Sequence, residues 1–182
     1  MTYSIKYLQE RFKQLGYKWP EFHLIGIRSK DYITNTFCDT FILYNRGQVF
    51  RYPGTTRPGT YYLLNIINPK GTAVLKPGQY LDTWVLGNHR RQADHQAWIQ
   101  AAPVTVCRDK DFDTIPETVG PLDKGYFGIN IHRSNKFSIS KLVDKWSAGC
   151  QVFANPKDFA QFIQLSKDSK LTKFTYTLLD EF

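Results

Sequence analysis

Short strand-like segments separated by turn residues dominate the chain after residue 38. The segments are rich in aromatic and β-branched residues, and the connections between them are rich in Gly, Pro, Asp and Asn. In order they are DTFILYN, QVFRY, GTYYLLNII, QYLDTWVL, PVTVC, YFGINIH, CQVF and KFTYTLL. Aromatic residues make up 15% of the chain, which suits strands because their side chains pack well on a pleated surface. The sequence therefore predicts a mainly β protein of the α+β class.

An N-terminal helix precedes the strands. Leu8, Phe12 and Leu15 follow one another at spacings of four and three, which predicts a helix over residues 4–15, and Gly16 ends it. With 182 residues the chain is long enough to bury one sizeable core. We assign residues 1–38 to this helix and a connecting segment, and residues 39–182 to a single β-rich domain.

A second helix is predicted shortly after the last cysteine. Asn155 is a favourable N-cap, and Pro156 suits the first helical position. Phe159, Phe162 and Ile163 then form an apolar face that predicts packing against the sheet.

The fragment WSAGCQVF places Cys150 behind a small-residue turn. Three widely spaced cysteines argue against a disulfide framework and leave room for a chemical role. The turn Ser147-Ala148-Gly149 offers backbone N–H groups, at Gly149 above all, that can hold an oxyanion beside the sulfur. A buried structural thiol is the ordinary alternative. A reactive Cys150 needs a base that makes it a thiolate.

His132 is the candidate base. Period two in YFGINIH places Phe127, Ile129 and Ile131 on one face of a strand, as core residues. Asn130 and His132 lie on the other face, where a cleft wall needs polar and titratable groups. A histidine on the polar face of a half-buried strand is also common without any catalytic role.

The other histidines and cysteines offer weaker candidates. Five residues separate His89 from His95, a spacing that matches no zinc motif, and we interpret both as part of a polar loop. His23 has no chemical companion nearby, and Cys38 and Cys107 resemble inert strand residues. The sequence predicts neither a metal site nor a cofactor.

The fragments around Cys150 and His132 resemble the catalytic domain of L,D-transpeptidases, also called the YkuD fold. That family has a His followed, after a gap, by Ser/Thr-His-Gly-Cys; here fourteen residues separate His132 from Ser147, and Ser147-Ala148-Gly149-Cys150 follows. The resemblance extends over residues 39–180, including the turn within DTFILYNRGQVFRYPGTTRPGTYYL and the helix ANPKDFAQFIQLSK. Two positions depart from the pattern: Ala148 replaces the family's second His, and Val152 replaces an arginine that often follows the cysteine.

The resemblance implies a β-sandwich with an N-terminal helix and a helix after the catalytic cysteine. It also implies acyl transfer, in which the Cys150 thiolate attacks an amide of a peptidoglycan stem peptide and His132 acts as base and then acid. The backbone at Gly149 would hold the oxyanion, and Ser147 would support the site without attacking. Substrate-binding roles fall to Arg133, Asn130 and Gln151, with Arg133 pairing a stem-peptide carboxylate. Whether the thioester passes to an amine or to water stays open.

Charge and targeting signals bear on partners and location. The net charge of +8 favours an anionic partner, and peptidoglycan fits the resemblance. No helix-turn-helix, RNA-recognition or zinc-finger pattern supports nucleic acid, and no apolar run supports a membrane partner. The polar N-terminus resembles no signal peptide, so we expect cytoplasmic synthesis and action at the wall or periplasm after release or delivery, as in a phage lysis enzyme or an effector.

The sequence leaves one alternative function and the oligomeric state open. The same fold without activity would be a wall-binding or virion structural module. Reactivity of Cys150 distinguishes this module from an enzyme.

Overall fold

The computed structural model describes residues 3–89 and 93–182, and within these ranges the chain is mainly β with a few helices. The helices are α1 (Ile5–Gln14), α2 (Thr60–Leu64), α3 (Pro156–Asp168) and a short 3-10 helix at Asp144–Trp146. The strands are β1 (Phe22–Arg28), β2 (Asp39–Asn45), β3 (Gln48–Thr55), β4 (Thr72–Leu75), β5 (Gly78–Asn88), β6 (Gln96–Gln100), β7 (Val104–Asp109), β8 (Leu122–Gly125), β9 (Ile131–Arg133), β10 (Gln151–Phe153) and β11 (Phe174–Asp180). The prediction of a mainly β, α+β protein is confirmed.

The main sheet closes into an eight-stranded barrel, where the sequence analysis expects a sandwich. Its strand order is β1-β11-β5-β6-β9-β10-β3-β2. The pairs β1/β11 and β9/β10 are parallel, and the other neighbours are antiparallel. Arg46 and Gly47 form the tight turn between β2 and β3 with φ of 47° and 91°, as a two-residue hairpin requires.

A small second sheet stands beside the barrel. Its order is β4-β7-β8, with antiparallel pairing throughout. The sheet matters for the candidate site because Ala73 of β4 lies directly against Gly149 of the cysteine loop.

The helix α1 covers the outside of the barrel. Ser4 caps it by accepting a hydrogen bond from the Tyr7 N–H, as expected of an N-cap serine. Leu8 and Phe12 are buried in a cluster with Ile25 of β1 and Ile42 of β2. The helix predicted over residues 4–15 is therefore confirmed.

The strand β1 comes from the segment that the sequence assigns to a connection outside the domain. It pairs with both β2 and β11, and all seven of its residues are buried. The boundary predicted between residues 38 and 39 therefore falls inside the barrel, between two paired strands.

The helix α3 closes over the barrel core. Asn155 accepts a hydrogen bond from the Lys157 N–H, and Pro156 occupies the first helical position, as predicted. Phe159, Phe162 and Ile163 are buried in the same cluster as Phe153 of β10. The helix therefore anchors the short strand that follows Cys150.

The segment GTYYLLNII forms a helix at Thr60–Leu64, so the prediction of a strand there is wrong. Gly59, which precedes the helix, approaches the backbone of Asp144 so closely that a Cβ would overlap it. The Asn35 side chain accepts hydrogen bonds from the N–H groups of both Thr60 and Asp144. These long-range contacts override the strand preference of the aromatic residues.

The segment YFGINIH is a strand only from Ile131. The N–H groups of Phe127 and Ile129 bond to the side-chain oxygen of Gln100, at 3.1 and 3.0 Å. Gly128 adopts φ of 71° between them. A buried glutamine thus replaces the ladder that a neighbouring strand would supply.

Among the described residues, no helix is long and apolar enough to cross a membrane.

Candidate active site

The parallel strands β9 and β10 bring Cys150 and His132 to one surface. Val152 is the register partner of His132, and Cys150 precedes Val152 by two residues, so both side chains lie on the same face. Ile131 and Phe153 point the other way, into the barrel core. Strand geometry separates the Cα atoms of Cys150 and His132 by about 8 Å, within reach of a thiol and an imidazole.

The imidazole of His132 is held in one tautomer. Its Nδ1 lies 2.7 Å from the backbone oxygen of Arg133, and since a carbonyl only accepts, Nδ1 carries the proton. In the neutral ring the lone pair is then on Nε2, which is the form a general base needs. Only 2% of His132 is exposed, so the ring is held away from bulk water.

Two further histidines pack against His132. The ring of His89 stacks on it with centroids 4.0 Å apart, and the ring of His95 meets it edge-on at 5.4 Å. His89 and His95 face each other at the end of the β5–β6 hairpin, where the His89 N–H donates to the His95 carbonyl at 2.7 Å. The interpretation of these residues as an ordinary polar loop is wrong, because both are buried beside the candidate base.

The three imidazoles do not amount to a metal centre. Within residues 3–89 and 93–182, no group of three or more His, Cys, Asp or Glu side chains is arranged to hold a metal ion. The Nδ1 atom of His89 instead lies 3.3 Å from the side-chain amide nitrogen of Asn130, which donates to it. This hydrogen bond orients the His89 ring beside His132.

The thiol of Cys150 sits between two backbone groups of the neighbouring segment. Its Sγ donates to the carbonyl of Gly128 at 3.3 Å and accepts from the N–H of Asn130 at 3.5 Å. The second contact favours a thiolate, because an N–H dipole aimed at sulfur stabilises negative charge there. Cys150 is 9% exposed, so the residue is largely buried.

Ser147 ties the cysteine loop together from within. Its hydroxyl donates to the Cys150 carbonyl at 2.8 Å and accepts from the Gly149 N–H at 3.1 Å. This N–H therefore points at Ser147 inside the loop, and the expectation that it faces an oxyanion beside the sulfur is corrected. Ser147 itself is fully buried, in keeping with a supporting position.

Gly149 is required by the backbone of the loop. Its φ is 124°, a backbone conformation that residues with a side chain rarely adopt. A Cβ there would overlap the carbonyl oxygen of Ala73 and lie 3.0 Å from Cδ1 of Ile129. Glycine at this position lets the loop lie directly on the second sheet.

Two residues predicted to bind substrate lie away from the thiol. Gln151 is fully buried in the barrel, where its side chain accepts from the Tyr176 hydroxyl at 2.7 Å and donates to the Gly149 carbonyl at 3.2 Å. Arg133 lines a groove against α3, on the opposite face of β9 from His132. The structure thus gives Gln151 a bracing position and brings neither side chain to the sulfur.

Asn130, the third residue predicted to bind substrate, lies beside the three histidines and positions the ring of His89. Besides its bond to His89, its side-chain oxygen accepts from the Gln100 N–H at 2.9 Å. Sequence reasoning missed Gln100, whose side chain fastens the segment before His132. The signal that points to it is a glutamine directly after the apolar run Ala97–Ile99, since a polar side chain buried there needs hydrogen-bond partners.

A groove of about 310 Å³ leads from the cysteine loop along the second sheet. Ala148, two residues before the nucleophile candidate, lines it, as does Phe127, whose neighbour Gly128 contacts the sulfur. Its wall also includes Tyr62, Tyr126 and Arg108. The Arg108 guanidinium is held by Asp123 at 3.0 Å and lies over the Phe127 ring. The groove therefore combines aromatic rings with one fixed cation.

Compared with known proteins, the chain matches no family model and no curated sequence. The assignment of function therefore rests on the chemistry of the site and on the sequence resemblance.

Proposed function

We propose that this protein is a cysteine-dependent acyltransferase or peptidase that acts on peptidoglycan stem peptides. The observation that carries the proposal is the placement of Cys150 and His132 on the same face of adjacent parallel strands, with the His132 tautomer fixed by a backbone carbonyl. A thiol and an imidazole so arranged are the minimum for nucleophilic catalysis by cysteine.

The reaction begins with proton transfer from the Cys150 thiol to Nε2 of His132. The thiolate attacks the amide carbonyl, and a C–S bond forms. As the C–N bond breaks, the imidazolium returns its proton to the leaving amine. The resulting thioester passes its acyl group either to another amine, giving a cross-link, or to water, giving hydrolysis.

The backbone around the sulfur assists the first step. The Asn130 N–H stabilises the thiolate. The Gly128 carbonyl accepts the S–H of the resting thiol, and this bond breaks before the proton passes to His132. The stacked ring of His89 restricts the rotation of the His132 imidazole. These contacts hold the reacting groups in place beforehand, so less conformational entropy is lost on the way to the transition state.

The substrate class is inferred from the resemblance and from the groove. The order of His132, Ser147, Gly149 and Cys150, followed by α3, supports an L,D-transpeptidase-like arrangement on this barrel. The groove beside Ala148 combines the rings of Tyr62 and Phe127 with the polar residues Asn68 and Thr72. An extended stem peptide needs both, because its methyl groups pack on apolar surface and its backbone forms hydrogen bonds. Action at the wall after release or delivery belongs to the same proposal.

Digestion of purified sacculi tests the proposal. Sacculi are incubated with the wild-type protein and with Cys150→Ala, and the muropeptides are separated and weighed by mass spectrometry. New cleaved or cross-linked species that depend on Cys150 support the proposal and distinguish hydrolysis from transpeptidation. Identical muropeptide profiles for the two proteins would refute the proposal.

An inactive wall-binding module is the second candidate, and the burial of the site favours it. Cys150 and His132 are 9% and 2% exposed, as structural residues often are. Sedimentation with sacculi separates the two functions. Binding that survives Cys150→Ala, with no change in muropeptides for either protein, identifies the module.

A further inference from the structure

A second cleft opens on the other side of the cysteine loop. Its volume is about 510 Å³, and its surface is mostly apolar. Trp146, Tyr61 and Leu64 line it and are 38%, 40% and 46% exposed. Asn65 and Asp144 supply polar groups at its rim. Exposed aromatic side chains gathered in one cleft are the usual mark of a binding site.

The walls of this cleft are fixed to each other and to the cysteine loop. The Gly59 N–H, at the start of α2, donates to the Ser147 carbonyl at 2.9 Å. Asn35 accepts from the N–H groups of Thr60 and Asp144, at 3.2 and 2.7 Å, and so joins α2 to the turn that carries Trp146. The same hydrogen bonds therefore fix the walls of the cleft and the loop that carries Cys150.

We propose that this cleft binds the glycan strand of peptidoglycan, through an N-acetylated amino sugar of the strand. The inference rests on the proposed function. A pyranose ring has an apolar C–H face that packs on an indole or phenol ring, and hydroxyl and acetamido groups that need polar partners at its edge. Trp146 and Tyr61 supply the ring faces, and Asn65 and Asp144 supply the polar partners.

The charged groups at the rim favour a sugar over a lipid chain or an apolar helix. Lys145 holds its ammonium 4.2 Å from the centroid of the Tyr61 ring, where the ring face attracts it. Asp144 also lines the cleft. A purely apolar occupant would strip water from both charges without pairing them, which costs free energy.

The distance to the thiol suits a sugar that carries a stem peptide. Trp146 and Cys150 are four residues apart, so their Cα atoms are at most about 14 Å apart. An extended peptide of four residues also spans about 14 Å. The stem peptide of a sugar stacked on Trp146 can therefore reach the sulfur within four residues.

The test compares two substrates that share one peptide. The first is glycan chains that carry stem tetrapeptides, and the second is the same tetrapeptide released from glycan. Trp146→Ala is compared with Phe137→Ala, which removes an aromatic side chain that is 86% exposed and lies outside the cleft. We expect Trp146→Ala to lower kcat/KM on glycan-linked peptide about tenfold, which corresponds to the loss of about 1.4 kcal/mol of binding. The rate on released peptide stays within about twofold for both variants, and Trp146→Phe restores most of the loss.

The outcomes separate this inference from the proposed function. If Trp146→Ala lowers both rates equally, or neither, the glycan site is refuted while the enzyme stands. If the wild-type protein acts on neither substrate, the proposed function fails. Co-sedimentation of peptide-free glycan chains with Cys150→Ala then decides the cleft by itself. Affinity that falls about tenfold when Trp146→Ala is added, and is mostly kept with Trp146→Phe, upholds the site. Unchanged affinity in the Trp146→Ala variant, or no binding at all, overturns it.

Discussion

Replacing Gly149 by alanine probes whether the cysteine loop depends on its contact with the second sheet. The new Cβ would overlap the Ala73 carbonyl and lie 3.0 Å from Ile129 Cδ1, at a residue with φ of 124°. The backbone conformation costs a non-glycine residue about 1–3 kcal/mol. Forcing an extra carbon into a packed contact costs about 1–3 kcal/mol more. We therefore expect Gly149→Ala to lower the free energy of unfolding by about 2–6 kcal/mol.

The matched control is Gly16→Ala. Gly16 has φ of 71° and nothing within 4 Å of an added Cβ, so its substitution carries backbone strain without the collision. Its expected cost is about 1–2 kcal/mol. Urea unfolding followed by tryptophan fluorescence measures both variants. Equal losses of stability in the two, together with unchanged alkylation of Cys150 in Gly149→Ala, would refute the account of the loop.

Three further changes test the fold and the site. Arg57→Ala leaves the carboxylate of Asp39, which it meets at 2.6 Å, buried without its cation, and we expect urea unfolding to show a loss of about 3–5 kcal/mol; a loss below 1 kcal/mol would contradict this. Burial lowers the pKa of His23 from its usual 6.5 to about 4. Between these values the unfolded chain binds a proton that the folded chain does not. About 3 kcal/mol of the free energy of unfolding, present above pH 6.5, is therefore lost as pH falls to 4. The variant His23→Gln should flatten that part of the stability profile, and an unchanged slope would refute the role. His89→Ala should slow alkylation of Cys150 about three- to tenfold by loosening the His132 ring, and His89→Phe should restore most of the rate because it retains a stacked ring; equal rates in both variants would argue against stacking.

Local signals predicted the parts of the fold that depend on local contacts. The helix α1 follows from apolar spacing and α3 from apolar spacing and the cap Asn155, and the structure confirms both helices. The β2–β3 hairpin follows from Arg46-Gly47, because that turn needs residues with positive φ. In each case the deciding contacts lie within a few residues of one another.

The parts that were missed depend on distant contacts. The strand β1, FHLIGIR, is buried along its whole length between the barrel core and α1, so it shows no alternation that would mark a strand. The helix α2 forms because Asn35 and Asp144 hold its start, although the segment has the composition of a strand. No pattern within either segment reveals these partners.

In the candidate site, too, some residues could be predicted from local sequence and others depend on distant contacts. The pair of Cys150 and His132 could be predicted because a motif joins them, and the register of β9 and β10 places them on one face. The approach of His89 and His95 to His132 depends on the pairing of β6 with β9, more than thirty residues apart in the chain. Gln151 resembled a substrate ligand because it follows the cysteine, but strand alternation turns it into the barrel.

The central claim is that Cys150 is a nucleophile activated by His132, and its alkylation rate tests this most directly. The native protein is treated with iodoacetamide at pH 6.5, and the modification of each cysteine is followed by peptide mass spectrometry. Burial raises the pKa of Cys107, so that thiol serves as a slow internal reference, and the partly exposed Cys38 controls for access. The account predicts that Cys150 reacts faster than both and that His132→Ala slows it to the rate of Cys38 or below. Reaction of Cys150 no faster than Cys38, and unchanged by His132→Ala, would contradict it.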